Sequence, residues 1–461
     1  MSVPTSAPLR TPGSLLVAIA MGVLTVGSFP AATPLAAQLP AVEPSFPINR
    51  VLTHREEEPL IKRRIVERFD DLLPELMRRE GFDMWIIATR EYNSDPVFAS
   101  MAPSTTYSSR RRTVLMFHDL GGDRGVERIS VGRFDYQGVF DVHRTHNDSQ
   151  YVALGRLVEE RDPQRIGINV SDRWNHADGL THNEYLRIVD AIGPRYTERL
   201  ESAEMLAVGW LEAKLPIETS QYRYAMRLAH QVIAEAFSNQ VIVPGVTTNE
   251  DVRWWMRQRV AEMGLGAWFH PSVNVQREGG LPAETPHGGH VIQRGDLLHT
   301  DFGLVALGFS TDTQHNAYVL KAGETDVPEG LKEGLRQANR VQELTMMHAS
   351  IGRTGNQALA DALAQAQREG ITATIYCHPI GYHGHGAGPP IGMSDYQDGV
   401  PVRGDYVFRP NTWHSIELNA RYAVPEWGGQ EVRFALEEDA ALLDGGWDWV
   451  DGRQTDFYLI R

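Results

Sequence analysis

The sequence predicts an α/β region over about residues 45–205, followed by an α+β region from about residue 206 to the end. Three observations carry this. The first region holds short apolar runs of strand length (MWIIATR, TVLMFHD, IGINVS) with helical or loop segments between them, the pattern of buried strands. The second holds two pairs of long helical segments, each pair followed by a strand-rich stretch that bears histidines or acids. That helix-helix-strand order, met twice, predicts an internal pseudo-repeat even though no sequence period matches. At 461 residues the chain is also long for a single domain.

In chain order, Arg10 precedes SLLVAIAMGVLTVGSFPAA and then PLAAQ, whose small residues offer a cleavage point near Ala37, so residues 1–37 read as an export signal. Gly, Ser and Pro interrupt the run before the roughly 20 apolar residues needed to span a bilayer. The expectation is an exported chain, periplasmic or secreted, soluble once the signal is removed. After a Pro-rich linker (residues 39–48), IKRRIVERFDDLLPELMRREGFD has helical periodicity that ends at Gly81. The α/β region carries no convergent cluster of reactive side chains, and Tyr92, Asn93, Asp95 and the run Arg110, Arg111, Arg112 read as polar loop. Further on, QYRYAMRLAHQVIAEAFSNQV is one amphipathic helix, and Thr248 with Asp251 marks the start of DVRWWMRQRVAEMG. The second pair is PEGLKEGLRQANRVQELTMMHAS and NQALADALAQAQREG, separated by IGRTG.

A net charge of −15 argues against nucleic acid or an anionic membrane as a partner through bulk electrostatics. Cys377 is the only cysteine, so no internal disulfide forms even in an oxidising compartment.

Between the helix pairs lies HTDFGLVALGFSTDTQH, residues 299–315, which reads as a hairpin with Leu307-Gly308 near its turn. A turn centred between Ala306 and Leu307 sets Asp301 opposite Asp312, with Cβ atoms about 4.5–5.5 Å apart. Leu297, Leu298, Phe302, Leu304 and Val305 make the strand apolar on both faces. Two buried anions there need a partner, and a shared cation is the economical one. Three more segments carry metal-type ligands: CHPIGYHGHGAGPPIGM with His378, His383 and His385, TWHSIELNA with Glu417, and GGQEVRFALEEDAALL with Glu431.

Two aspartates eleven residues apart, then GHGAG, then two strand glutamates, resemble the methionine aminopeptidase, aminopeptidase P and prolidase superfamily. The resemblance implies a pita-bread catalytic domain over residues 206–461, with helix pairs packed on a curved antiparallel sheet, behind a creatinase/prolidase-like N-terminal domain over residues 45–205. It assigns Asp301, Asp312, His385, Glu417 and Glu431 as ligands of two divalent ions, manganese above all, with cobalt, iron or zinc also able to fit. It assigns Glu417 to proton handling and His287 in PHGGH, with His290 as rival, to the scissile amide. Prolidase-like members carry a further His seven residues after the metal-binding one. Counted from His385 that position is Gly392, which leaves two equal readings: His383 or His378 supplies the missing donor, or both only brace His385.

The implied activity is metal-assisted hydrolysis of the Xaa-Pro bond at the N-terminus of a peptide or in a dipeptide, by a chain that self-associates as a dimer. Three alternatives share the pattern: a same-site hydrolase of an organophosphorus ester or a non-proline dipeptide, a metal-free creatinase-like amidinohydrolase, and a non-catalytic peptide-binding module. His299, two residues before Asp301 on the same strand face, reads equally as a support for a ligand or as a packed histidine.

Overall fold

Helix α1 (His54–Glu67) continues through a π-helical turn at Arg68–Leu72 into α2 (Leu73–Glu80), which stops where Gly81 adopts φ 77°. The computed structural model describes residues 50–144, 150–284 and 288–461. The stretch expected to be an export signal, the linker and His287 lie outside the described residues.

The three expected strands appear as β1 (Met84–Arg90), β2 (Arg112–Asp119) and β5 (Ile166–Ile168), and three more that the apolar pattern did not mark join them: β3 (Val126–Gly132), β4 (Asp141–Arg144) and β6 (Leu200–Ser202). They form one sheet in the order β4-β3-β2-β1-β5-β6, in which only β2 runs antiparallel to its neighbours. Helices α3 (Gln150–Arg161) and α4 (His182–Thr197) close one face over Ile86, Met116 and Ile168. The other face packs α1, α2 and α5 (Glu204–Glu212) around Phe69, Trp85, Phe117 and Trp210.

The C-terminal half repeats one motif. Helices α6 (Pro216–Ala236) and α7 (Asn249–Glu262) lead into the meander β7 (Ser272–Gln276), β8 (Leu297–Phe302) and β11 (Thr313–Val319), with the short hairpin β9 (Val305–Ala306) and β10 (Phe309–Ser310) inserted before β11. Helices α8 (Glu329–His348) and α9 (Gly355–Arg368) lead into the meander β12 (Thr372–Ile375), β15 (Leu418–Val424) and β16 (Gln430–Leu436). The strands β13 (His378–Pro379), β14 (Thr412–Ser415), β17 (Asp439–Leu443) and β18 (Gly446–Trp449) pair beside them, and β19 (Tyr458–Ile460) returns to β11. The correspondence reaches the caps. Thr248 before α7 and Thr354 before α9 both sit at φ −92°, ψ 159°, and each hydroxyl accepts the backbone N–H three residues on. The two halves meet where Gln314 and Glu437 exchange backbone hydrogen bonds of 3.0 and 3.2 Å. Among the described residues no helix is long and apolar enough to cross a membrane.

The hairpin register differs from expectation. Ala306 pairs with Phe309 and Asp301 with Gln314, so the turn is centred between Leu307 and Gly308. Both turn residues have positive φ, 53° and 78°, the primed geometry that two-residue hairpins adopt. The apolar pattern does not reveal that Leu307 accepts this conformation. Asp312 therefore stands opposite Gly303 and reaches Asp301 diagonally. A Cβ at Gly303 would lie 2.3 Å from the Thr311 carbonyl oxygen and 2.5 Å from Trp268 Nε1, so only glycine fits.

Candidate metal centre

Four carboxylates converge at the seam between the two meanders: Asp301 on β8, Asp312 just before β11, Glu417 between β14 and β15, and Glu437 between β16 and β17. His378 on β13 joins them, its Nε2 3.3 Å from Glu437 Oε1 and 3.6 Å from Asp312 Oδ2. Donor atoms of Asp312, His378 and Glu437 all lie within 4.8 Å of one another.

Burial, then the charge of Glu437, pushes the Asp301 carboxyl up to about 7. The same two causes drive Asp312 and Glu417 well above the carboxylate range. Acids that would all ionise near 4 in water are held apart from that state by one another, and one atom, Asp301 Oδ1, is buried without a hydrogen-bond partner. Such a group is completed by protons or by cations. The imidazole decides how a cation would be met: His378 Nδ1 lies 3.0 Å from the Pro379 carbonyl, which can only accept, so Nδ1 carries hydrogen and Nε2 is aimed at the acids. Burial opposes charge on that ring, but hydrogen bonding and charge from Glu437 lift it to about 9. A cation in the proton's place would meet the Nε2 lone pair and four hard oxygen donors, a set that fits divalent ions of the manganese, cobalt, iron and zinc type.

Gln314 braces this arrangement. Its Nε2 donates to Glu417 Oε1 and, at 2.8 Å, to Glu437 Oε2, while its Oε1 lies 2.8 Å from His299 Nε2. Burial holds His299 neutral, down at about 3, so Nε2 donates and Nδ1 accepts from Asn274 at 3.3 Å. His299 thus acts on the ligands through Gln314. Ser415 donates to Glu437 Oε1 at 2.7 Å. On the far side, Asp439, pushed up by burial to about 8, accepts from Tyr222 at 2.6 Å and from the Asp312 backbone N–H at 3.2 Å.

Two expected ligands stand elsewhere. Glu431 is exposed near the start of β16 and pairs with Arg421 at 2.9 Å. It shares a strand face with Glu437, but six residues of strand amount to about 20 Å, so one of the two reaches the centre and the other the rim. His385 is exposed in the glycine-rich loop, its ring edge-on to His378 with centroids 4.7 Å apart, and burial beside His378 lowers its pKa. With His378 among the acids, the histidine seven residues on is His385 itself, and the spacing first counted to Gly392 is shifted by one such step. Gly392 (φ 73°) packs on the Ile375 carbonyl, where a Cβ would lie 2.3 Å away. His383 is bound to the Pro96 carbonyl at 3.1 Å and rests on His176, bracing the loop rather than entering the cluster. His290 lies outside the cluster, its N–H donating to Asn249 at 2.7 Å. Sequence reasoning passed over Glu437, His378 as a ligand and Gln314. The signal for Glu437 was an acidic triplet, Glu437-Glu438-Asp439, set between FAL and AALL.

A neighbouring group, His230, His315 and Glu438, has similar composition but is closed on itself. His230 bridges Glu438 at 3.0 Å and Asp451 at 3.3 Å, and His315 bridges Glu438 and Tyr458. Every ring nitrogen has a partner, so this is an ion-pair network. Against the effect of burial, the neighbouring His315 and His230 hold Glu438 down to about 2.

A cavity of about 410 Å³ opens onto the centre, lined by Asp301, Gln314 and Glu417 on one side and by Asn274, Tyr376 and Arg433 on the other.

Residues 220–436 match the sequence profile of metallopeptidase family M24, a span that contains Asp301, Asp312, His378 and Glu417 and ends one residue before Glu437. Among solved structures, an X-Pro aminopeptidase from Thermotoga maritima is similar at TM-score 0.60 and 17% identity, covering 84% of this chain and 99% of its own. An Xaa-Pro dipeptidase from Bacillus anthracis is similar at TM-score 0.55 and 20% identity, covering 86% and 99%. A prolidase from Pyrococcus horikoshii is similar at TM-score 0.53 and 15% identity, covering 85% and 98%. Among curated protein sequences, none matches.

Proposed function

We propose, from the match of residues 220–436 to metallopeptidase family M24, that this chain is an exopeptidase cleaving the bond between an N-terminal residue and a following proline, with two divalent ions held by Asp301, Asp312, His378, Glu417 and Glu437. The observation that carries this reading is the convergence of four carboxylates, Asp312 and Glu437 buried and Asp301 and Glu417 half-buried, with one directed imidazole and with Asp301 Oδ1 unpartnered. Divalent ions in such a site supply Lewis-acid polarisation of a carbonyl and lower the pKa of water.

The chain's own residues account for the rest. Gln314 fixes Glu417 Oε1, leaving Oε2 to take a proton from the attacking water and pass it to the leaving nitrogen. His385, exposed beside His378, is placed to hydrogen-bond the substrate carbonyl oxygen as negative charge develops there. His287 keeps its assignment to the scissile amide by resemblance alone. The small cavity beside the centre suits one end of a peptide rather than the middle of a long chain. The apolar N-terminal run supports export, and manganese is the expected native ion.

The test is reconstitution of chelated protein with manganese, cobalt or zinc, followed by product analysis on Xaa-Pro dipeptides, longer Xaa-Pro peptides and matched Xaa-Ala controls. Metal-dependent release of the N-terminal residue from the proline substrates is expected. Equal rates on the alanine controls would remove the proline requirement, and no metal-dependent cleavage of any peptide would remove the peptidase reading.

A further inference from the structure

The arginine run that reads as polar loop in the sequence opens into a cavity of about 720 Å³ in the α/β region. Among the described residues six arginines line it, namely Arg90, Arg110, Arg111, Arg112, Arg133 and Arg187, and no carboxylate does. In a chain of net charge −15 this is a local reversal of sign. Beneath the arginines lies one fully buried carboxylate: Glu184 forms ion pairs with Arg112 at 2.8 Å, with Arg90 at 3.8 Å and with Arg187, and accepts the Tyr151 hydroxyl. One anion thus fixes three guanidinium groups in place and cannot neutralise them. Arg110, Arg111 and Arg133 are exposed and have no carboxylate partner among the described residues.

The location adds a second argument. Arg90 ends β1 and Gly132 ends β3, two parallel strands, so the cavity lies at strand carboxyl ends, where open α/β sheets bind ligands. The backbone there departs from ordinary geometry: Arg111 and Tyr92 have φ of 47° and 69°, and the Glu91 N–H donates to the Arg111 carbonyl at 3.1 Å. Left-handed non-glycine residues cost on the order of 1–3 kcal/mol each and persist where the surroundings demand them. The ring of Phe134, 46% exposed, forms an apolar wall.

We propose that this cavity binds a small phosphate-bearing molecule, its phosphoryl oxygens taken by the guanidinium forks and its organic part resting on Phe134. Planar forks held at several angles suit tetrahedral oxyanions with many acceptor atoms better than a single carboxylate. The concave shape favours a free molecule over a lipid headgroup at a membrane surface. None of these residues borders the metal centre, so the proposal stands independently of the peptidase reading.

The test is isothermal titration of the full chain with inorganic pyrophosphate at about 0.15 M salt, where distant surface attraction is screened. Saturable one-to-one binding is expected, weakened about tenfold or more in Arg111→Ser/Arg133→Ser and partly restored when Arg133→Lys replaces Arg133→Ser, which returns the charge without the fork. Metal-dependent peptide cleavage is expected to be unchanged in these variants. Absence of saturable binding, equal affinity in the double variant, or co-sedimentation with phosphatidylglycerol vesicles without pyrophosphate binding would overturn the proposal.

Discussion

Replacing Glu437 by Gln separates the ligand set drawn from the structure from the one the sequence predicts, because it leaves metal-free stability nearly unchanged and lowers stability when metal is present. In the metal-free protein the Asp301 carboxyl is raised from its ordinary 3.8 to about 7. At about 1.36 kcal/mol per pKa unit, holding it ionised at pH 8 costs about 4 kcal/mol relative to the unfolded chain. Burial is the larger cause and Glu437 the next, so removing that one charge returns on the order of 1 kcal/mol at Asp301. It also removes the partner that lifts His378 to about 9, which takes back a similar amount at pH 8, so the metal-free Tm should move by no more than about 2 °C. With metal the loss dominates. Loss of a ligand is expected to weaken binding about 100-fold, which subtracts about 2.7 kcal/mol from the stabilisation manganese confers by mass action. Scanning calorimetry in chelator and in excess manganese, with metal content measured on the same samples, reads both effects. Glu431→Gln, at the exposed rim, should change neither by more than about 0.5 kcal/mol. The reasoning fails if Glu437→Gln retains its metal and its manganese-dependent Tm, or if Glu431→Gln loses them.

Two histidines should separate in the same way: His378→Ala loses metal and turnover together, whereas His385→Ala keeps its metal content and loses about 100-fold or more in kcat, by metal analysis and peptide assay. Gly303→Ala forces a Cβ onto the Thr311 carbonyl and Trp268 and should destabilise the fold by about 2–4 kcal/mol in urea unfolding; a loss under 0.5 kcal/mol would contradict the contact. Glu212, raised by burial to about 7 and with Oε1 unpartnered, keeps its proton in the folded state between pH 4.5 and 7 while the unfolded chain has lost it, so its contribution to stability falls as pH rises through that window. Glu212→Gln should therefore match the parent near pH 4 and exceed it by about 1–3 kcal/mol at pH 8, and an unchanged pH profile would contradict the burial argument.

Strands such as Met84–Arg90 and helices such as Gly355–Arg368 were legible because apolar spacing reports directly on which face is buried. The acids Asp301, Asp312 and Glu417 were legible for a related reason, since a charged residue inside an apolar strand run demands a partner. What local pattern does not carry is longitudinal position. Glu431 and Glu437 share a strand face, and only the pairing of Glu437 with Gln314 across the seam selects between them. His378 and His385 lie in one glycine-rich stretch, and the short pairing of β13 with β14 draws the first of them inward. The hairpin register turned on one residue, Leu307, whose positive φ has no compositional marker. Gln314 was overlooked because an amide opposite an aspartate has no signature until the carboxylates it spans are brought to it.

The duplicated helix-pair-and-meander unit has a consequence for how the centre is assembled. The first copy contributes Asp301 and Asp312, and the second contributes Glu417 with Glu437 at the end of its last strand. Neither copy owns all five of the proposed ligands. A slide of one meander along the other by a single ångström would alter every inter-copy donor spacing while leaving the hydrogen bonds inside each copy intact. Metal affinity at the proposed site would then act as a ruler laid across the join, sensitive to a shift that leaves each copy folded.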